Sequence, residues 1–200
     1  MKKLVVGPYK TKVLVHANLL EESELLNYED EDSKHKIPLV DANHLTVEEY
    51  LTFLYTDKVL TKPGEDMNDH WVFALLVGYF VFGEKYKDIR FKNTVIDALY
   101  SMFNNINNGK VTLPTVRVEE GIRELYHGTP ASSRVREMVV AFYATAEDGL
   151  KHAKETNNIQ FYSDVKKAVR DGEEPEKRSS VYHEEYIDAY GVGAGDTDSE

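Results

Sequence analysis

The sequence predicts an α/β chain of the α+β type: a small β-sheet flanked by a cluster of α-helices, followed by a C-terminal helical extension. Three observations lead there. Two short runs rich in β-branched residues, Leu4–Val6 and Lys12–Val15, are separated by "GPYKT", whose Gly7 and Pro8 favour a turn, so a hairpin opens the chain. From about residue 46 onward, apolar residues recur at the 3.6-residue period of amphipathic helices. Two hundred residues with 42% hydrophobic side chains are enough for one principal domain with a sizeable core.

After the hairpin, Leu19, Leu20, Leu25 and Leu26 fall at roughly helical spacing, which predicts one short helix or two. The stretch "NYEDEDSKHK" carries mixed charges that cannot bury, so it reads as a surface connection into another short strand, "KIPLV". Thr46 is followed three residues later by Glu49, the spacing of a capping box in which each side chain satisfies a backbone N–H at a helix start. Val47, Tyr50, Leu51 and Leu54 then form the apolar face of that helix, and Phe53 falls away from it, which leaves it either exposed or buried by a neighbouring helix.

"TDKVLTKPGED" interrupts the helices at Pro63 and Gly64, with room for a small strand at Val59 and Leu60. Asn68 or Asp69 can cap the helix that follows. That helix, built on "WVFALLVGYFVF" and ending near Gly83, is apolar on nearly every face and therefore belongs at the centre of the domain. A further helix from about Asp88 to Phe103 presents Phe91, Val95, Ala98, Leu99 and Met102, and "NNINNGK" ends it.

One later helix carries Val118, Ile122, Leu125 and Tyr126; the next, after the turn "HGTPASS", carries Val135, Met138, Val139 and Phe142. A last helix, roughly Ile159 to Arg170, packs Phe161, Val165 and Val169. From Asp171 on, glutamates and the Gly-rich "GVGAGDTDSE" leave too little apolar area to offset ordering entropy, so residues 171–200 read as a disordered acidic tail. The expected organisation is a domain over 1–105, a helical extension over 106–170 and that tail.

The formal charge is −11, but residues 171–200 alone hold ten acidic against two basic side chains, so the body is nearly balanced. No Lys/Arg cluster interleaved with aromatics occurs, which argues against nucleic-acid binding through a basic face. The absence of cysteine excludes disulfides, thiolate metal sites and a cysteine nucleophile, and fits an intracellular setting, cytoplasmic or nuclear. Only four apolar-leaning residues precede Pro8, too few for a secretory signal. The longest apolar stretch, residues 71–82, falls short of the ~20 residues that cross a bilayer as a helix.

Candidate chemistry is sparse. His16, at the end of "KVLVH", has no His-x-x-His or His-Glu-x-x-His partner, and no serine stands in a nucleophile-elbow context. It reads as a buried framework residue satisfied by backbone hydrogen bonds, together with Leu19 and Leu20. His35 and His44 flank "KIPLV" near Asp32 and Asp41 but read as solvated loop residues, and His70, His152 and His183 have no second ligand within reach by sequence.

Neighbouring acids such as Glu48 with Glu49 and Glu119 with Glu120 point about 100° apart on a helix and cannot face one substrate together. "GVGAG" lacks the preceding strand and following helix that a phosphate cradle needs. No catalytic residue, metal site or cofactor is therefore expected. What remains is surface: thirteen tyrosines suit protein contacts, since tyrosine combines large contact area with a polar handle. On helix 46–56 the candidates for partner binding are Tyr50, Phe53, Leu54 and Tyr55. The segment "VYHEEYIDAY" reads either as part of an inert solubilising tail or as a linear motif that folds on binding.

The order of parts resembles the BTB/POZ domain, in which "VH-x-x-LL", a polar insert, a short "I-x-L" strand and "F-x-x-x-L-x-x-LYTG" follow one another. Here they read "VHANLL", "IPLV" and "VEEYLTFLYTDKV". Later segments resemble fungal stand-alone BTB proteins: "GYFVFGEKY", "FKNTVIDALY" and "IRELYHGTPASSRVREMVVAFYA", the last similar to "I-x-x-VYENTP-x-x-S-x-LR-x-LLVD". The likeness covers about residues 4–150.

Three departures stand out: a short segment between the Leu-Leu run and "IPLV", no N-terminal exchanged extension, and Asp57 where the family has glycine. The resemblance implies a protein–protein interaction module that forms homo- or hetero-dimers and recruits a partner, with an adaptor for a cullin-type ubiquitin ligase as one form. A stand-alone dimerisation or regulatory module without a ligase role is the other.

Overall fold

The computed structural model describes residues 1–20, 36–39, 42–59, 72–104, 113 and 118–183. Strands β1 (Lys2–Val6), β2 (Thr11–Val15) and β3 (Lys36–Leu39) form one sheet in the order β2-β1-β3. The first pair is antiparallel, with Leu4 opposite Val13, and the second parallel, with Leu4 opposite Ile37. Among the described residues seven α-helices follow: α1 (His44–Thr56), α2 (Val72–Lys85), α3 (Ile89–Phe103), α4 (Val118–Gly128), α5 (Arg134–Thr145), α6 (Gly149–Glu155) and α7 (Ile159–Asp171). The chain is thus α+β.

The hairpin turns where expected. Gly7 takes φ +66°, which favours glycine, and its carbonyl accepts from Lys10 N at 3.1 Å. Alternation along β1 buries Leu4 and Val6, which join Val15 and Leu39 in the core. The Leu-Leu run starts as a 3₁₀ turn, Ala17–Leu20, with Leu20 fully buried and Leu19 partly so; Leu25 and Leu26 lie outside the described residues.

Helix α1 begins three residues earlier than the capping-box spacing predicts. Asn43 is its cap, accepting from Leu45 N at 3.0 Å, and Thr46 and Glu49 are turned into the protein. The Asn43 carboxamide takes the capping role because it precedes the first helical turn, whereas Thr46 and Glu49 fall inside the helix. At the other end, Asp57 stands at φ +55° as a left-handed C-cap, its N–H bonded to Phe53 O at 2.8 Å. Aspartate tolerates this left-handed conformation better than most residues.

The expected caps at Asn68 or Asp69, the breakers Pro63 and Gly64, and Leu60 of the proposed small strand lie outside the described residues. Val59 is buried but belongs to no strand. Helix α2 is central as its composition requires, with Phe73, Val77 and Phe80 fully enclosed. Helix α4 packs closely along it because Gly121 has no side chain: a Cβ there would lie 2.7 Å from Phe73 Cε1.

Helix α6 is absent from the sequence-based reading, since seven residues are too few to show a helical period. The aromatic stack of Phe103 on Phe142, with centroids 4.8 Å apart, joins α3 to α5, so one core runs from the first domain through the helical extension.

The tail departs most from expectation. Helix α7 reaches Asp171 and is closed by Gly172 at φ +71°. Residues 173–183 then lie across α3 and α5 as a strap containing a second 3₁₀ turn, Ser179–Tyr182, with Tyr182 buried. Composition predicts disorder because it averages over the segment, whereas one buried aromatic side chain suffices to hold part of it. Residues 184–200 lie outside the described residues. No helix among the described residues is long and apolar enough to cross a membrane.

Gly121→Ala should force α2 and α4 apart and cost about 1–3 kcal/mol. Chemical denaturation checks this, and an unchanged midpoint would contradict the close approach.

Candidate functional site

Two places in the structure gather side chains whose chemistry goes beyond core packing. The first is the corner between β2 and α1, where the sequence places its candidate partner residues. Of these, Tyr50 and Phe53 are fully buried and Leu54 nearly so. Of the two readings of Phe53, burial by a neighbouring helix is the one found: it packs on Phe91 of α3, and it follows Tyr50 by three residues, which makes the two side chains neighbours on the helix. Tyr50 lies 5.0 Å from the Phe91 ring, as does Phe53, and the Arg90 guanidinium covers Phe53 from outside at 5.2 Å. In the chain as it stands, these three residues hold α1 against α2 and α3 and offer nothing to a partner.

Tyr55, the fourth candidate, is 56% exposed. Its hydroxyl shares a 2.8 Å hydrogen bond with His16 Nδ1, and the two rings meet edge to face. His16 is therefore not the buried, backbone-satisfied group the sequence suggests. It is exposed, its carbonyl accepts from Leu19 N to start the 3₁₀ turn, and its imidazole braces α1 from the end of β2. The junction is architectural, but a side chain makes it.

Leu14 precedes His16 by two residues, on the same face of β2, and is 63% exposed. Strand β2 is at the edge of the sheet. The corner thus presents apolar and aromatic groups beside an edge strand, an arrangement suited to protein contact.

The second place centres on Arg136, to which sequence reasoning assigned no role. Only 7% exposed, it donates from Nε to Thr129 Oγ1 at 2.8 Å and from Nη2 to the carbonyls of Tyr126 and Thr129. Its guanidinium lies 4.4 Å from the Tyr126 ring centre, and Tyr126 donates to Asp164 Oδ2 at 2.8 Å. The chain α5–α4–α7 is fastened by this one network. The signal available in the sequence is the turn "HGTP", whose backbone carbonyls a nearby arginine can satisfy.

A cleft of about 640 Å³ opens beside the network, between α5, α7 and the strap, and is bordered by Arg134, Glu137, Asp164 and Lys167. Mixed charge of this kind suits a polar segment better than an apolar ligand.

Among the described residues, no three side chains of metal-ligating type converge. His44 pairs with Glu48, His152 with Glu155 and His183 with Asp97, and His35 and His70 lie outside the described residues. No protein-family model, curated protein or solved structure matches the chain.

Burial pushes the phenol of Tyr79 up to about 12, aided by Glu49. It raises Tyr143 further, and burial followed by the hydrogen bond to Asp164 does the same for Tyr126. A phenol whose pKa is higher folded than unfolded contributes stability that is whole below pH ~10 and is lost as pH climbs toward the folded value. Absorbance titration should therefore show a buried group of tyrosines ionising only at or above pH ~12, together with unfolding. A single transition near pH 10 with the fold intact would contradict this burial.

Arg136→Met should strand two buried carbonyls and cost about 3 kcal/mol, with Arg136→Lys recovering only part because an ammonium cannot reproduce the planar fork. Urea unfolding of the three proteins checks this. A loss below about 1 kcal/mol for the methionine variant would contradict the network's importance.

Proposed function

We propose that the chain is a protein–protein interaction module of the BTB/POZ type, working by dimerisation and recruitment of a partner protein inside the cell. The observation that carries this reading is the exposed corner of Leu14 and Tyr55 beside His16 at the edge of the sheet. It is supported by the order of parts: a hairpin ending in Val-His, the Leu-Leu turn, a strand, the helix ending "FLYT", and two long helices. No residue is assigned a catalytic role in this reading.

The adaptor form, docking on a cullin, would use the outer face of α1. A dimerisation module with no ligase role is favoured over it by one observation: three of the four expected contact residues on α1 are core residues, which leaves Tyr55 of that set for a partner.

Light scattering is expected to give a mass above the 22.9 kDa of one chain, rising with concentration. Leu14→Asp and Tyr55→Ala should together weaken self-association by tenfold or more, about 1.4 kcal/mol, while leaving the fold intact. A concentration-independent monomer would refute the dimer. Recovery of a cullin with the wild-type chain, lost on Tyr55→Ala, would select the adaptor form over the stand-alone module.

A further inference from the structure

The strap across α3 and α5 is held in the manner of a bound peptide. Its directional contacts come mostly from the groove's side chains to the strap's backbone. Tyr100 on α3 donates to Glu176 O at 2.8 Å, and Arg134 on α5 donates to Val181 O at 2.8 Å. These bonds accept any residue at those positions. Selectivity rests on one buried side chain, Tyr182, only 5% exposed and beside the Tyr100 ring, and on His183, whose Nε2 lies 2.9 Å from Asp97 Oδ1. Main-chain hydrogen bonds for affinity with one pocketed side chain for specificity is the usual division in extended-peptide recognition.

The rest of the strap contributes little to the core. Glu173, Glu174, Lys177, Arg178 and Ser180 are exposed, and Val181 is 42% exposed. The strap leaves α7 at Gly172, whose left-handed backbone turns the chain away from the helix axis. Its 3₁₀ turn is closed by its own contacts: Tyr182 Oη accepts from Glu176 N at 2.8 Å, which pre-shapes the segment before it docks.

We propose that the α3–α5 groove is a docking site for an extended, tyrosine-bearing segment of a partner protein, with a histidine or cation following the tyrosine, and that residues 173–183 fill it as a built-in competitor. The occupant's chemistry is read from the strap itself, which already satisfies Tyr100, Arg134 and Asp97. The proposal rests on the interaction-module reading and adds to it a site away from the β2–α1 corner. A short tether holds the strap near its groove at an effective concentration of about millimolar, so an outside segment must compete against that.

The test uses the full chain and a fluorescent peptide of its own residues 173–184. Tyr182→Ala should undock the strap and tighten peptide binding by about tenfold or more over wild type. Adding Asp97→Asn should weaken the gain, and a peptide lacking the tyrosine should not bind. A Tyr182→Ala chain that keeps its melting transition yet binds the peptide no better than wild type would overturn the proposal.

A second chain, with a protease site inserted between Gly172 and Glu173, covers the case in which Tyr182→Ala unfolds. After cleavage the strap should dissociate on dilution from a folded body and be displaced by the peptide; unfolding on its loss would make it a structural element and overturn the proposal. A chain that dimerises but takes up no peptide refutes the docking site alone, whereas one that takes up peptide but stays monomeric refutes the dimer alone.

Discussion

The buried carboxylate of Asp88 is the interaction on which the first three helices depend. It accepts from Phe91 N at 2.9 Å, capping α3, and from the Tyr50 hydroxyl at 2.7 Å, tying in α1. Asp88 itself is 2% exposed, and its own N–H returns to Gly83 O at the end of α2. A carboxyl group buried so deeply is tolerated only while its lone pairs are occupied, so the end of α2, the start of α3 and the middle of α1 can meet in one arrangement. The aromatic cluster of Tyr50, Phe53, Phe82 and Phe91 assembles around this point.

Everything downstream is fitted to that frame. Helix α2 is apolar on several faces, and α4 covers the face left open, closely because Gly121 has no side chain. Arg136 then fastens the turn after α4 to α5 and, through Tyr126, to α7. Apolar packing sets which helices meet, while these two hydrogen-bonded centres set how, since an unpaired group in either would cost more than a bond gains.

The surfaces follow from the same economy of contacts. The side chains of α1 that look suited to a partner are spent on its own core, and the outward-facing aromatic that remains, Tyr55, is steadied by His16. The strap shows the converse: a segment poor in aliphatic residues is held by one tyrosine and by groove side chains that bind its backbone.

By itself, the sequence determined the α+β class, the hairpin at Gly7, the strand at "KIPLV", the central place of α2 and the apolar faces of α3, α4, α5 and, except for Val169, which is exposed where packing was expected, α7. Each of these depends on local conformational preference or on a repeat within one element, and both are written in neighbouring residues. Tertiary structure decided the burial of Phe53, the exposure of His16, the role of Arg136 and the docking of Tyr182. Each of those depends on which distant group arrives opposite a side chain: Phe91 for Phe53, Tyr55 for His16, the "HGTP" carbonyls for Arg136, and Tyr100 for Tyr182. Periodicity reports that a face is apolar. It does not report what lies against it, because that is fixed only when the elements pack.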